Sequence, residues 1–453
     1  MSLPRVAIAL LAIGGLIAAA TQLPLDWDGS YIALNVLWAQ EPFMPHGRWV
    51  NLPLQALALV ASRWISDTDT LAVIFGAAYS LIPAAALAAS WWVVRDREPR
   101  MLVWPALGIG LLALPGQAFF VSEAMLAVQL VWPLVLAVAL DVVHRHRFLL
   151  GCLALALAFA HPVAVGLLGM ILIMWVVTPS MRWPIRRRLA VGALALVVVI
   201  ALGLRYFAGA NSYESEQVSL ATLSSQAQTL DTARLAAIGL VYFAAITLLL
   251  GAAVHGRERR ALELVALIPL APAAGLMMLW AVDPHGWVQA LEYRGLVLFV
   301  TAGLYGAAYL DAHSPLAANA RRPIETPARG VAVVGAAATW LLVVSVQGLS
   351  WHATLDDFYG YLERSPTACV PAANIGGIER SPLNHWSVTP LSLMLAGREP
   401  GRIVLRGGAC EQRLADGFPI EGVEIRPWES RWFAVEPLQR TIAIERSGIA
   451  QER

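Results

Sequence analysis

Eleven apolar runs divide this chain: 4–22, 70–94, 101–115, 123–143, 147–160, 162–178, 189–207, 233–254, 261–281, 295–311 and 330–349. About 20 apolar residues in a helix cross the roughly 30 Å hydrocarbon layer of a bilayer. A helix also satisfies its own backbone hydrogen bonds, which lipid cannot do for it. Runs of this kind leave few alternatives to a helical membrane fold. The composition agrees: 58% of the 453 residues are hydrophobic and 14% are charged. A soluble chain carries about 25% charged residues, and a water-exposed globule of this length lacks the interior to hide the excess. A soluble enzyme and a disordered tail are thereby excluded. A net charge of +1 offers no field to hold nucleic acid.

Two of the runs, 101–115 and 147–160, are short, and His161-Pro162 separates what would otherwise read as one long helix. The first run is read as a retained span, because no small-residue cleavage site precedes Leu23-Pro24. Arginine sets the expected orientation, since every basic side chain apart from His is Arg and there is no Lys. That absence excludes Schiff-base chemistry on a lysine. With the N-terminus in the cytoplasm, the inner connections are 95–100, 144–146, 179–188, 255–260 and 312–329, and they hold fourteen arginines. The outer side holds five: Arg48, Arg63 and Arg294, with Arg205 and Arg234 at span edges. This bias follows the positive-inside rule and places residues 350–453 outside.

The expected fold is therefore an all-α polytopic protein of the cell (inner) membrane over 1–349. It has about eleven transmembrane helices, with interfacial helices in a first outward loop at 23–69. A small exported α/β domain follows over 350–453. Its short alternating runs, such as Arg402–Leu405, Val423–Ile425, Trp432–Val435 and Thr441–Ile444, read as strands. An exported domain meets an oxidising compartment, so Cys369 and Cys410 are candidates for a disulfide. Cys152, inside a span, reads as a small apolar filler.

Polar residues gather in the outward loops. Asp26 and Asp28 directly follow the first span, flanked by aromatics. Carboxylates at a membrane surface are costly unless used, and one there can take a proton from an acceptor or hold a cation. Asp-Gly-Ser is equally ordinary cap and turn chemistry. Further along the loop, Tyr31–Gln40 is amphipathic, and the segment from Asn51-Leu52-Pro53-Leu54 to Ile65 is too short to span. Both read as helices lying in the interface, a wall along which a lipid-linked substrate enters. His46 and Arg48 are candidates for its phosphate, with snorkelling as the competing role. Glu123 opens the fourth run. The loop 208–232, with Tyr213, Glu214 and Glu216, reads as a mobile cover. The last outward loop collects His285, Glu292, Tyr293 and Arg294. Arg294 meets either an anionic head group or a neighbouring acid. No Walker loop, G-x-S-x-G, HExxH or CxxC occurs. No row of charges passes through the spans as an ion relay requires.

An outward Asp pair after one span, interfacial helices entered through a Pro-Leu step, an acid opening the fourth span and an exported C-terminal domain resemble the GT-C integral-membrane glycosyltransferases. The likeness is to the branch of protein O-mannosyltransferases and the lipid A aminoarabinose transferase. It rests on residues 1–180, and the remainder matches in architecture. Where the family often has His-Pro-Pro, this chain has Asn51-Leu52-Pro53, and its second acid is Glu rather than Asp. The resemblance implies transfer of a sugar from a polyprenyl-phosphate donor to a saccharide, lipid or protein acceptor. The base maps to Asp28 or Asp26, Asp28 being favoured because Gly-Ser follows it, and the second acid maps to Glu123. The donor phosphate maps to Arg294, then Arg48 and His46. Some members of the family need a divalent metal, for which Asp26, Asp28 and Glu123 are oxygen donors, though no cofactor is demanded by their spacing. The competing readings are a transporter or flippase for a lipid-linked saccharide and a non-catalytic envelope assembly protein. The second would use Asn384, His385 and Trp386 as a binding surface.

Overall fold

The computed structural model describes residues 2–26, 28–44, 48–111, 121–177, a few helical positions between 186 and 197, most of 304–313, and 327–365, 369–371, 388–395 and 403–405. The expected spans at 233–254 and 261–281, and nearly all of 189–207, lie outside the described residues. What is described is overwhelmingly helical. Among the described residues, three helices are long and apolar enough to cross a membrane: Leu3–Ala20, Thr68–Val94 and Arg329–Arg364.

The first, α1 (Leu3–Ala20), packs through small residues. Gly14 lies against Trp340, and Gly15 against the main chain of Ser80, whose hydroxyl donates to the Gly15 carbonyl at 2.7 Å. Close approach over Gly and Ala is how helices associate without a hydrophobic driving force. The chain leaves α1 through Gln22 in a left-handed conformation at φ 56°. The Gln22 carbonyl accepts from Trp351 Nε1 at 2.9 Å, so the turn is pinned from a distant helix.

After a 3-10 turn at Leu23–Leu25 come α2 (Asp28–Ala39) and α3 (Asn51–Ala61), both within the first loop. Then α4 (Thr68–Ser80) and α5 (Ile82–Val94) follow as one nearly continuous apolar stretch, and Asp67 caps α4 through the Thr70 N–H at 2.9 Å. The next helix is α6 (Val103–Leu111). After it come α7 (Glu123–Leu130) and α8 (Trp132–Ala139), with Pro133 just inside α8. Next are α9 (Arg147–Ala158) and α10 (Pro162–Val177), broken at His161-Pro162 as expected, with Pro162 at a first-turn position where its missing N–H costs nothing.

The long helix α11 (Pro327–Arg364) has 38 residues. At 1.5 Å per residue it reaches about 57 Å, nearly twice the hydrocarbon thickness. It continues through residue 349, where the apolar run ends, and stops just before Ser365-Pro366. Beyond it, β1 (Cys369–Pro371) pairs in parallel with β2 (Ile403–Leu405), and α12 (Val388–Leu395) lies between them in sequence.

Helix directions follow from which residues meet. Gly330 lies against Leu3, Gly14 against Trp340 and Gly348 against Thr21, so α1 and α11 run parallel in constant register. Gly110 lies against Ala336, and Trp104 and Arg329 both bond Asp311, so α6 runs with α11. The helix α4 is opposed to α1: Gly76 meets Pro24 and Ser80 meets Gly15. The residues after α11 therefore emerge at the same end of the bundle as the first loop.

Two expectations change. The helix α2 does not lie open in an interface: Ile32, Ala33, Leu34, Val36 and Leu37 are all buried, and α12 packs against it. A segment more than 350 residues downstream supplies its outer cover. Cys152 fills no gap; it is exposed on α9, beside Phe148 and Leu155, which also face outward. The buried residues of α9 are Leu150, Leu157 and Ala158.

Candidate functional site

The polar centre of the described molecule forms where the first loop meets the start of α7. Glu123 is the first residue of α7 and is 4% exposed. A carboxylate at a helix N-terminus faces the positive end of the helix dipole. Its Oε2 accepts from Arg48 Nη1 at 2.9 Å and its Oε1 from Asn51 Nδ2 at 2.8 Å. Asn51 Oδ1 in turn accepts from the Tyr79 hydroxyl at 3.1 Å. The loop entering α3, the helix α4 and the helix α7 thus contribute to one buried chain.

The local sequence explains why α3 turns its polar side inward. Asn51, Gln55, Ala58 and Ser62 are buried and fall at helical spacing on one face. Gln55 clamps the main chain of Phe43, accepting from its N–H at 2.9 Å and donating to its carbonyl at 2.6 Å. This closes the stretch that carries Arg48 at both ends. Tyr31 packs edge-on against Phe43, with ring centroids 5.4 Å apart. Ser62 donates to Gln40 Oε1 at 3.0 Å. The opposite face of α3 is apolar and open: Leu57 and Val60 are exposed, with Trp49 before the helix and Trp64, 77% exposed, after it. Polar inside and apolar outside is the inverse of a water-facing helix. The apolar face of α3 is thus exposed, while that of α2 is covered.

Asp26 and Asp28 flank the corner between the 3-10 turn and α2 and are half-buried. Gly29 sits against the Pro24 carbonyl on one side and Val121 on the other, two residues before Glu123. The corner that carries the Asp pair therefore packs against the residues leading into Glu123. Burial and the neighbouring Asp28 carboxylate both raise the Tyr31 phenol above its ordinary value. Of the expected site residues, Asp26, Asp28, Arg48 and Glu123 are gathered at this end of the bundle. His46, His285, Glu292, Tyr293 and Arg294 lie outside the described residues, as do Cys410 and the side chain of Cys369.

The chemistry of the donors bears on the metal question. Both Glu123 oxygens face N–H donors, and a guanidinium stands 2.9 Å away. That surrounding suits an anion's counter-charge, and a divalent cation there would meet Arg48 head on. Among the described residues, no group of three or more His, Cys, Asp or Glu is arranged to hold a metal ion.

Asn51 and Tyr79 belong to this centre, though sequence reasoning gave neither a role. The signal was present for Asn51, because Asn51, Gln55 and Ser62 repeat on one face of an otherwise apolar segment. Nothing marks Tyr79, which lies within a continuous apolar run. A second buried ion pair sits at the far end of the bundle. Asp311 Oδ2 accepts from Arg329 Nη1 at 3.2 Å and from Trp104 Nε1 at 3.0 Å, tying the starts of α6 and α11 together. No protein-family model, curated protein or solved structure compared with the chain matches it.

Proposed function

We propose that this protein is a membrane glycosyltransferase that moves a sugar from a polyprenyl-phosphate donor to an acceptor at the outer face. The observation that carries the reading is the buried Arg48–Glu123–Asn51 centre beside the Asp26/Asp28 corner, behind a helix whose apolar face looks outward. A guanidinium suits phosphate, a nearby carboxylate suits a base, and an apolar flank suits a prenyl chain. The parallel course of α1 and α11 supports an odd number of crossings from one to the other, consistent with eleven. It also supports a course in which the chain after α11 continues on the side of the first loop. The fold of this reading is GT-C-like, with its C-terminal α/β domain extracytoplasmic and built around the β1–α12–β2 unit.

The reaction is a displacement at the anomeric carbon. Asp28, or Asp26, takes the proton from the acceptor nucleophile, which forms the new bond to C1 while the C1–O bond to phosphate breaks. The polyprenyl phosphate leaves with both electrons of that bond, its charge met by arginine. Configuration at C1 inverts. Because the donor is already activated, no nucleotide is needed. The test is Asp28→Asn in nanodiscs, offered radiolabelled polyprenyl-phosphate hexoses together with envelope lipids and saccharides. The expected result is loss of transfer with donor lipid still bound. Wild-type turnover removes Asp28 from the mechanism, and translocation of donor without transfer favours the flippase.

A further inference from the structure

We infer that the end of the bundle tied by the Asp311–Arg329 pair binds the head groups of anionic phospholipids, through Arg95 laid on the face of Trp92 and the exposed arginines around it. The inference needs the apolar helices to cross a membrane and is independent of the glycosyltransferase reading.

Exposed arginines collect at this end because of how the helices run. From the contact of Ser80 with Gly15, the α4–α5 stretch runs back along α1, which brings Arg95 and Arg97 to the end where α1 starts and Arg5 stands. The starts of α6 and α11 lie there too, joined at Asp311. Asp141, just past α8, acts electrostatically on His313, two residues from Asp311. The turn Val143–Arg145 and Arg147, the first residue of α9, therefore belong to the same end. Arg5, Arg95, Arg97, Arg145 and Arg147 are all exposed. Among the described residues, the exposed charges of the opposite end are mostly acidic, Asp67, Asp356, Asp357 and Glu363 among them.

The chemistry at the end of α5 selects a lipid. Arg95 follows the last residue of α5, where the negative end of the helix dipole favours a cation. Its guanidinium carbon lies 3.9 Å from the centre of the Trp92 ring. Trp92 is 51% exposed, on a stretch long and apolar enough to cross a membrane. An indole at the end of such a stretch sits at head-group depth, so the cation held on its face lies at the height of the lipid phosphates. The arrangement recurs on α9, where Phe148, 84% exposed, follows Arg145 and Arg147. A soluble anion calls for the charges alone. Outward aromatic rings beside them fit a molecule whose acyl chains continue from its phosphate. Neighbouring acids leave Arg95 its charge: Glu98 engages Arg100 at 3.0 Å, while the exposed Asp96 stands 3.7 Å from Arg95, and an exposed pair of that kind is weak.

The test titrates the full chain in detergent micelles with phosphatidylglycerol, phosphatidylcholine and soluble glycerol phosphate, and reads bound lipid by native mass spectrometry. Phosphatidylglycerol is expected to bind more tightly than phosphatidylcholine, and Arg95→Gln to weaken it about fivefold, the effect of one arginine near a lipid surface. Trp92→Leu keeps every charge and is expected to weaken it about two- to fivefold. Arg364→Gln removes the same charge at the opposite end and should bind phosphatidylglycerol as wild type does. Quenching in nanodiscs, read as the signal lost in Trp92→Phe, locates the lipid. Brominated phosphatidylglycerol should quench more than brominated phosphatidylcholine at equal content, and Arg95→Gln should remove the difference. The inference is overturned if the two lipids bind alike, if Arg95→Gln binds phosphatidylglycerol as wild type, or if Arg364→Gln weakens it equally. Glycerol phosphate displacing the lipid at equal concentration overturns the choice of a lipid. A Trp92 signal that neither brominated lipid quenches overturns it at the premise that this end meets the bilayer.

Discussion

Gly29 is the position where one methyl group reaches furthest into the site. A Cβ placed there meets the Pro24 carbonyl oxygen at 1.6 Å, its carbon at 2.7 Å and Val121 Cγ2 at 3.2 Å. Carbon and oxygen settle at about 3.3 Å or more, so Gly29→Ala requires a displacement of about 1.7 Å. The offending atoms are main chain, in a turn whose Leu23, Pro24 and Leu25 are all buried, so no rotamer change relieves the clash. Overpacking of this kind costs about 1–3 kcal/mol, and the upper end is expected here. The shift falls on the corner carrying Asp26 and Asp28 and, through Val121, on the entry to Glu123. Misplacing a reacting group by about 1 Å costs about a hundredfold in rate. The assay is thermal unfolding in nanodiscs beside transfer activity. Gly151→Ala on α9, with nothing within 4 Å of its added carbon, is the control and should melt at or slightly above wild type, since Ala favours a helix over Gly. If Gly29→Ala melts and turns over as wild type does, the tight corner does not organise the site.

Three other expectations follow from the same geometry. Arg48→Met or Glu123→Leu alone strands a buried charge and should cost about 3–5 kcal/mol, whereas the two together should cost much less; equal losses in chemical-denaturation midpoints for the single and double variants would refute the pairing. Trp64, at the outer end of the apolar face of α3, should be quenched by brominated lipid, read as the signal lost in Trp64→Phe; an unquenched Trp64 would remove α3 from the bilayer surface. Tyr31, whose phenol is raised, favours the folded state fully below its unfolded value of about 10 and loses that contribution as pH climbs through the higher folded value. Stability should therefore fall above pH 10 and fall less in Tyr31→Phe, as followed by thermal unfolding across that range.

Much of the local structure was legible because lipid imposes a simple rule on residues in sequence. The runs beginning at Glu123, Arg147 and Pro162 start helices at those residues, and His161-Pro162 breaks the chain where proline removes a donor. The end of α11 was not legible from hydropathy. Apolar content reports the part of a helix that meets lipid, while Trp351, His352, Asp356 and Asp357 continue the same helix beyond it. The site was half legible. Glu123, Arg48, Asp26 and Asp28 stand out as charges where charge is costly, but their grouping depends on neighbours remote in sequence, such as Glu123 and Asn51.

From sequence alone came a helical chain built for lipid, the starts and breaks of its helices, and the acids and arginine worth testing, because each follows from the cost of placing one kind of side chain in hydrocarbon. Tertiary structure decided the rest. It covered α2 with α12, joined Tyr79 to Asn51, and paired Glu123 with Arg48. Those outcomes depend on which surfaces meet across hundreds of residues, and pairwise contacts at that range leave no period or motif in the chain itself.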